Sequence, residues 1–265
     1  MKIITVVQAR TGSTRLPNKV LMPLAGKPLI LRMLERVCKS EIAGRVLVAV
    51  TQENADDELV NICESEGHIV FRGHTTDLLD RHYKAALEYN ADAVVKIPSD
   101  CPLIDHQIIT KVINTFISNK DKYDYVSNLH PATFPDGNDV EIMSMQALET
   151  AWKKANKDFE REHTTPYLWE NPGLFKIGNI EWETGLDYSM THRWTIDYLE
   201  DYFFIKEIYD SLYKKNPDFG LYDILDFIIA HPEVKSINEK YNGVNWYRNH
   251  IGELKTIKPG QTKVI

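Results

Sequence analysis

Gln8-Ala9-Arg10-Thr11-Gly12-Ser13-Thr14-Arg15-Leu16-Pro17-Asn18-Lys19 follows directly on an apolar run, Ile3 to Val7, that reads as a buried first strand. A loop leaving such a strand with Arg10, Ser13, Arg15 and Lys19 brings three cations and a hydroxyl together. Gly12 lets a ligand approach the backbone, and Pro17 stiffens the exit. A nucleoside triphosphate needs a cradle of this kind, because its phosphates carry several negative charges and many acceptor oxygens. The alternative on spacing alone is a solvated basic loop. Crowding of cations at a strand's C-terminal end favours the ligand.

Outward from this loop, strand and helix patterns alternate. Leu29 to Cys38 has helical spacing, Arg45 to Val50 is a short β-branched run, and Asp56 to Ser65 is a helix with Leu59, Ile62 and Cys63 inward. Ile69 to Phe71 reads as a strand and Thr76 to Tyr89 as a helix capped by its threonine. Ala93 to Ile97 is another buried strand, and Asp105 caps a helix running to about Ser118. Strands separated by helices of this length imply an α/β fold with a parallel sheet and right-handed crossovers. Ligands then bind beyond the C-terminal strand ends, so the cationic loop and Ser99-Asp100 are expected to face one cleft.

After about Tyr123 the pattern changes. Tyr125 to Ser127, Val140 to Met143, Phe175 to Ile180 and Arg193 to Ile196 are strand-like, with helices near Gln146 to Ala155 and Arg161 to Trp169. Two more helices are predicted, Leu199 to Tyr213 and Tyr222 to Ala230. From about Asn238 periodicity is poor, and the segment reads as an arm or partly ordered tail.

The 265 residues allow a sizeable core, and a net charge of −7 argues against a nucleic-acid binder. No apolar run approaches the length of a membrane span, and the N-terminus goes straight into a strand, so the expectation is a cytoplasmic protein. Cys38, Cys63 and Cys101 are odd in number and widely spaced, giving neither a disulfide framework nor a metal knuckle.

Some residues have two readings on the sequence alone. Asp100 is either a carboxylate holding Mg²⁺ against a triphosphate or the opening of a helix-approach turn. Asp197 is either a second metal carboxylate or the cap of the helix beginning near Leu199. Asp80 and Arg81 read on their own as an exposed helical ion pair. Asp139 and Glu141 alternate as on one strand face, and with His163 they are candidates for contacts to a second substrate. Cys101, beside Asp100, reads as packing under the loop, since no His–Asn pairing argues for a nucleophile.

The pattern A-R-x-x-S-T-R-L-P-x-K, followed by Gly26-Lys27-Pro28, resembles the signature loop of the CMP-sugar-acid cytidylyltransferases. Asp77-Leu78-Leu79-Asp80-Arg81, Ser99-Asp100-Cys101-Pro102-Leu103-Ile104, Phe134-Pro135-Asp136-Gly137-Asn138-Asp139-Val140-Glu141, Glu160-Arg161-Glu162-His163-Thr164-Thr165-Pro166-Tyr167 and Arg193-Trp194-Thr195-Ile196-Asp197 resemble its spore-coat (SpsF) branch most closely. The likeness spans about residues 1 to 232.

It implies a three-layer α/β/α Rossmann-like fold of the nucleotide-diphospho-sugar transferase type. Residues 1–237 would form the cytidylyltransferase-like domain, with a small mixed α/β insertion at about 123–195, and residues 238–265 the arm. By the same resemblance, the activity is transfer of CMP from CTP to a small acidic acceptor, a sugar acid, for surface polysaccharide synthesis, by a homodimer. Arg10, Arg15 and Lys19 would be catalytic; Ala9, Arg10, Gly12, Ser13, Arg15, Lys19, Arg72, Asp80, Arg81 and Ser99 would bind the nucleotide; Asp100 and Asp197 would bind Mg²⁺. Asp139, Glu141 and His163 would meet the acceptor, and no residue stands out as a general base. Ser99 stands where CMP-KDO synthetases place glycine. Rival readings are a sugar-1-phosphate nucleotidyltransferase, whose loop would read G-x-G-x-R, and a glycosyltransferase, which would need a D-x-D motif. The non-enzyme rival is a regulatory subunit that keeps the nucleotide cradle.

Overall fold

The computed structural model describes all residues, Met1–Ile265. Its centre is a seven-stranded sheet. The strands are β1 (Ile3–Gln8), β4 (Arg45–Thr51), β5 (Ile69–Gly73), β6 (Ala93–Pro98), β7 (Tyr125–Ser127), β8 (Glu141–Ser144) and β9 (Ile177–Asn179), in the order β5-β4-β1-β6-β8-β7-β9. Two-residue strands β2 (Pro23–Leu24) and β3 (Lys27–Pro28) form a separate small ribbon. Only β8 runs antiparallel to its neighbours.

Strand β1 shows why a parallel sheet forms. Ile3, Ile4, Val6 and Val7 are all buried, as a strand covered on both faces requires. Ile4 and Val6 face one core, while Ile3 and Val7 face the other. At roughly 1.5–3 kcal/mol per buried aliphatic side chain, this one strand contributes substantially to the core. Helices α1 (Leu29–Cys38), α2 (Asp57–Ser65), α4 (His106–Ser118), α8 (Leu199–Leu212) and α9 (Leu221–Ala230) pack on the face that carries Ile3 and Val7. The opposite face is covered by α3 (Leu78–Glu88), α5 (Met145–Lys154), α6 (Asp158–His163) and α7 (Pro166–Trp169). The expected three-layer α/β architecture is therefore present. Chain order reverses between β1 and β6, so the crevice for a ligand opens beyond Gln8 and Pro98.

Four local expectations need correction. The cap of α3 is Asp77, not Thr76: its Oδ1 accepts from the Asp80 amide at 2.8 Å. The helix expected over Arg161 to Trp169 is two short helices, α6 and α7, broken at Thr164, whose φ of 71° lies outside the helical range. Arg193 to Ile196 forms no sheet strand; one bridge joins Arg193 to Asp136. Asp197 does not cap α8. The cap residue is Tyr198, and Asp201 accepts from the amides of both Asp197 and Tyr198.

The C-terminal segment is laid against the molecule, with Val244, Leu254 and Ile257 buried. It contains short 3₁₀ turns at Glu239–Tyr241, Trp246–Asn249 and Pro259–Gln261, with the short helix α10 (Pro232–Lys235) before them.

Candidate active site

The loop after β1 is held in shape by a buried carboxylate. Asp56 accepts from the Thr11 amide at 2.8 Å and its hydroxyl at 2.7 Å, and from Thr51 at the end of β4. These bonds keep Asp56 below the usual carboxylate range although burial alone would raise it. With the loop anchored, Ala9, Arg10, Ser13, Arg15 and Lys19 line a compartment whose far side carries Ser99, Asp100 and Asp197. The sequence-predicted residues of the loop thus meet those at the end of β6. Gly12 has open space beside it and is not among the lining residues.

Asp100 and Asp197 are almost a hundred positions apart in sequence, and backbone bonds unite them. The Ile196 amide donates to the Asp100 carbonyl at 2.9 Å, and Thr195 Oγ1 donates to the same oxygen at 3.0 Å. Lys19 Nζ lies between the two side chains, 3.6 Å from Asp100 Oδ2 and 3.2 Å from Asp197 Oδ1. It also donates to the Ile196 carbonyl at 2.5 Å. Arg15 adds an ion pair to Asp197 at 2.7 Å. Burial would raise the Asp197 pKa, but Lys19, Arg15 and Arg193 hold it well below the ordinary value.

A middle compartment adjoins the first. Asp136 and Asp139 face it together with Asp100 and Asp197. Between Asp136 and Asp139, Gly137 sits at φ +104°, where an added Cβ would lie 2.6 Å from the Trp194 backbone. Burial pushes Asp139 up to about 6, with the Asp100 charge adding to the shift; burial raises Asp136 as well. Asp136 is partly offset by the buried Arg193, at 3.5 Å, which also pairs with Asp201 at 2.9 Å.

An inner compartment follows, between aromatic Trp169 and Tyr247 and the carboxylates Asp139 and Glu141. His163 faces all three compartments, stacked on Trp246 with ring centroids 3.8 Å apart. Burial, helped by Lys96, lowers its pKa to about 3, so its imidazole is neutral at physiological pH.

Other predicted site residues fall elsewhere or are already engaged. Arg72 pairs with Asp57 at the edge of α2 and does not line the cleft. Asp80 points toward α5, accepting from Trp152 Nε1 at 2.9 Å and pairing with Lys84 at 2.9 Å, because its helical turn faces away from the strand ends. Arg81 does line the first compartment, but its guanidinium donates to the carbonyls of His74 and Thr75 and shapes that loop. Burial, with Arg10 nearby, brings its pKa down to about 10. Glu141 reaches the inner compartment with both oxygens occupied, one by Lys96 and the other by Tyr125 Oη at 2.5 Å.

The reading of the sequence missed Asp136, Lys96, Trp246 and Arg248. Asp136 lies inside the quoted Phe134–Glu141 stretch, where its position before Gly137 was a usable signal. Lys96 sits within a buried strand, which is itself a reason to look for a partner. Nothing periodic marks the last two.

Asp100 and Asp197 could hold a divalent cation. They are hard oxygen donors on either side of one ammonium, at the mouth of a cationic compartment. No group of three or more His, Cys, Asp or Glu side chains forms a metal cage. Magnesium fits this donor set, because it commonly takes one or two carboxylates and completes its shell with phosphate oxygens and water.

A family model described as cytidylyltransferase matches residues 4–224. A solved cytidylyltransferase from Leptospira borgpetersenii is 36% identical, covering 88% of this chain and 96% of its own, with a TM-score of 0.82. Spore coat polysaccharide biosynthesis protein SpsF of Bacillus subtilis is 28% identical over 89% of this chain and 98% of its own length. The 3-deoxy-manno-octulosonate cytidylyltransferase of Chloroherpeton thalassium is 39% identical, but over only 45% of this chain and 48% of its own. The chain belongs to the cytidylyltransferase family, and its activity is of the nucleotidyltransferase class.

Proposed function

We propose that this cytidylyltransferase joins CMP from CTP to a sugar acid used in surface polysaccharide synthesis, with release of pyrophosphate. The observation that carries the reading is Lys19 held between Asp100 and Asp197 beneath the Arg10–Arg15 loop, in a cleft at the β1/β6 reversal. The acceptor hydroxyl oxygen attacks the α-phosphorus, the bond to the pyrophosphate oxygen breaks, and the hydroxyl proton passes to solvent. Arg10, Ser13 and Arg15 bind the triphosphate and offset the charge that gathers on the leaving pyrophosphate. Lys19, paired with both carboxylates here, would be free to turn its ammonium to the phosphates if those carboxylates held a dication. Asp100 and Asp197 would hold Mg²⁺, which supplies charge neutralisation and lowers the pKa of the acceptor hydroxyl. Asp139 and the neutral His163 orient the acceptor from the middle and inner compartments.

Two further features support this reading. Likeness to SpsF runs through both halves of the chain, whereas likeness to the octulosonate enzyme covers less than half. That pattern favours a shared nucleotide and an acceptor other than 3-deoxy-manno-octulosonate. Neither G-x-G-x-R nor D-x-D is present, which disfavours the sugar-1-phosphate and glycosyltransferase readings.

Pyrophosphate release from each of the four nucleoside triphosphates, with Mg²⁺ and a panel of sugar acids and phosphorylated acceptors, tests the assignment. Turnover is expected with CTP alone and with a sugar acid. Equal affinity for CTP and GTP would remove it, because a site built to hydrogen-bond one base rejects the other strongly. The family resemblance extends the reading to a homodimer through residues 123–195. Light scattering that finds only a 30.6 kDa species would count against that part.

A further inference from the structure

The last residues of the chain lie beyond the stretch shared with the family model, yet they wall the cleft. Trp246 borders all three compartments and stacks on His163. Two positions later, Arg248 reaches the middle compartment, where Asp100 and Asp197 also lie. Its Nη2 donates to Tyr198 Oη at 3.2 Å, whereas its Nη1 is buried with no partner. The other cations there are engaged, Arg15 with Asp197 and Lys96 with Glu141. Arg248 is therefore the one cation of that compartment without a carboxylate. A buried guanidinium nitrogen with nothing to donate to is costly, and an anion with two acceptor oxygens matches its planar fork.

The inner compartment is poorer in cations. Lys96 is its only Lys or Arg, tied to Glu141, whereas Arg15 and Arg248 also line the middle one; Asp136 and Asp139 are common to both, and Asp187 adds negative charge to the inner one. An acidic group carried deep into it would meet repulsion. Its aromatic and amide lining suits an uncharged polyhydroxylated body.

We propose that Arg248 binds the acceptor's carboxylate in the middle compartment, next to the attacking oxygen. The chain would then select acceptors whose acid group adjoins the reacting hydroxyl and whose remaining length is uncharged. This rests on the cytidylyl-transfer reading of the cleft and adds to it a specificity residue from outside the shared domain. The carboxylate takes no part in bond making.

Arg248→Ala and Arg248→Lys test the proposal in the full chain, with melting curves to establish that each variant folds. Calorimetry would follow CTP with Mg²⁺. Separately, with a non-hydrolysable α,β-methylene CTP and Mg²⁺ present, it would follow two sugar acids, 3-deoxy-manno-octulosonate and N-acetylneuraminate, each against its methyl ester. The wild type is expected to bind at least one acid at least about tenfold more tightly than its ester, the gain one charge-assisted bidentate contact provides. Arg248→Ala should lose that preference while its CTP affinity stays within about twofold, because Arg248 does not line the nucleotide compartment. Arg248→Lys should fall between, since a point charge does not reproduce the fork. The proposal is overturned if Arg248→Ala keeps the preference or if the wild type prefers neither acid. A fall in CTP affinity as large as the fall for the acid would also overturn it, assigning Arg248 to the triphosphate. Failure of the wild type to bind CTP would instead overturn the transfer reading, whatever the acids do.

Discussion

Lys19 carries its ammonium into a position that a bound dication would also favour. Its side chain is only 11% exposed, against 45% for Arg15, so the two cations of the loop are not equivalent. Removing Lys19 leaves two carboxylates facing each other and the Ile196 carbonyl without its donor. Lys19→Ala should therefore cost about 2 kcal/mol of stability, less than for a fully buried pair, while Arg15→Ala should cost under about 1 kcal/mol. Both should lower turnover by about 10²–10³-fold. Thermal melts separate the variants: Mg²⁺ alone is expected to raise the midpoint of Lys19→Ala and to leave that of the wild type nearly unchanged. Equal melting of Lys19→Ala and wild type would show that the ammonium does not hold the carboxylates. Asp139 supplies a pH test. Its folded pKa, about 6, lies above the ordinary 3.8, so the folded protein binds the extra proton between those values. Its cost to stability is absent at low pH, grows as pH rises through that window, and is complete above it. Asp139→Asn should then melt a few degrees higher than wild type at pH 7.5, and the gain should vanish near pH 4. A gain of the same size at both values would assign the effect to packing.

At the scale of elements, the site depends on how the segment before α8 is fixed. Asp201 is fully buried and accepts from Arg193, from Asn238, and from the amides of Asp197 and Tyr198. It thus caps the helix and aims Asp197 at Lys19. Asp201→Ala would strand Arg193 and free the helix start, for an expected loss of roughly 3–5 kcal/mol, or on the order of 10 °C in midpoint. A change under about 1 kcal/mol in a denaturant titration would contradict this role. Much of the element level was legible: the alternating β-branched runs and amphipathic helices up to Ser118 place β1, β4, β5, β6 and their helices within a few residues. The failures came where tertiary contacts outweigh local pattern. Arg193–Ile196 has strand-like residues but bonds to the Asp100 and Asp136 backbones and not to a sheet partner. Asp197 resembles a cap by position, yet Asp201 outcompetes it from inside the helix.

For the whole molecule, the reversal of chain order between β1 and β6 creates one cleft, and later segments divide it into cationic, middle and inner compartments. The cationic side was readable because its cations lie close together in sequence. The middle and inner compartments were not. Asp136, Lys96 and the Trp246–Arg248 turn come from three separate segments, and only folding brings them together. The poor periodicity after Asn238 was read as an arm or partly ordered tail; a segment that seats on a cleft by individual side chains has no periodic face to show. No helix is long and apolar enough to cross a membrane. The central claim is that Asp100 and Asp197 hold the metal against the triphosphate of CTP. Anomalous diffraction from crystals grown with Mn²⁺ and α,β-methylene CTP tests it most directly. The expected result is a manganese peak within about 2.2 Å of an oxygen of each carboxylate, with the Lys19 ammonium moved onto the phosphates. A manganese peak away from both carboxylates, or nucleotide bound with Lys19 still between them, would contradict it.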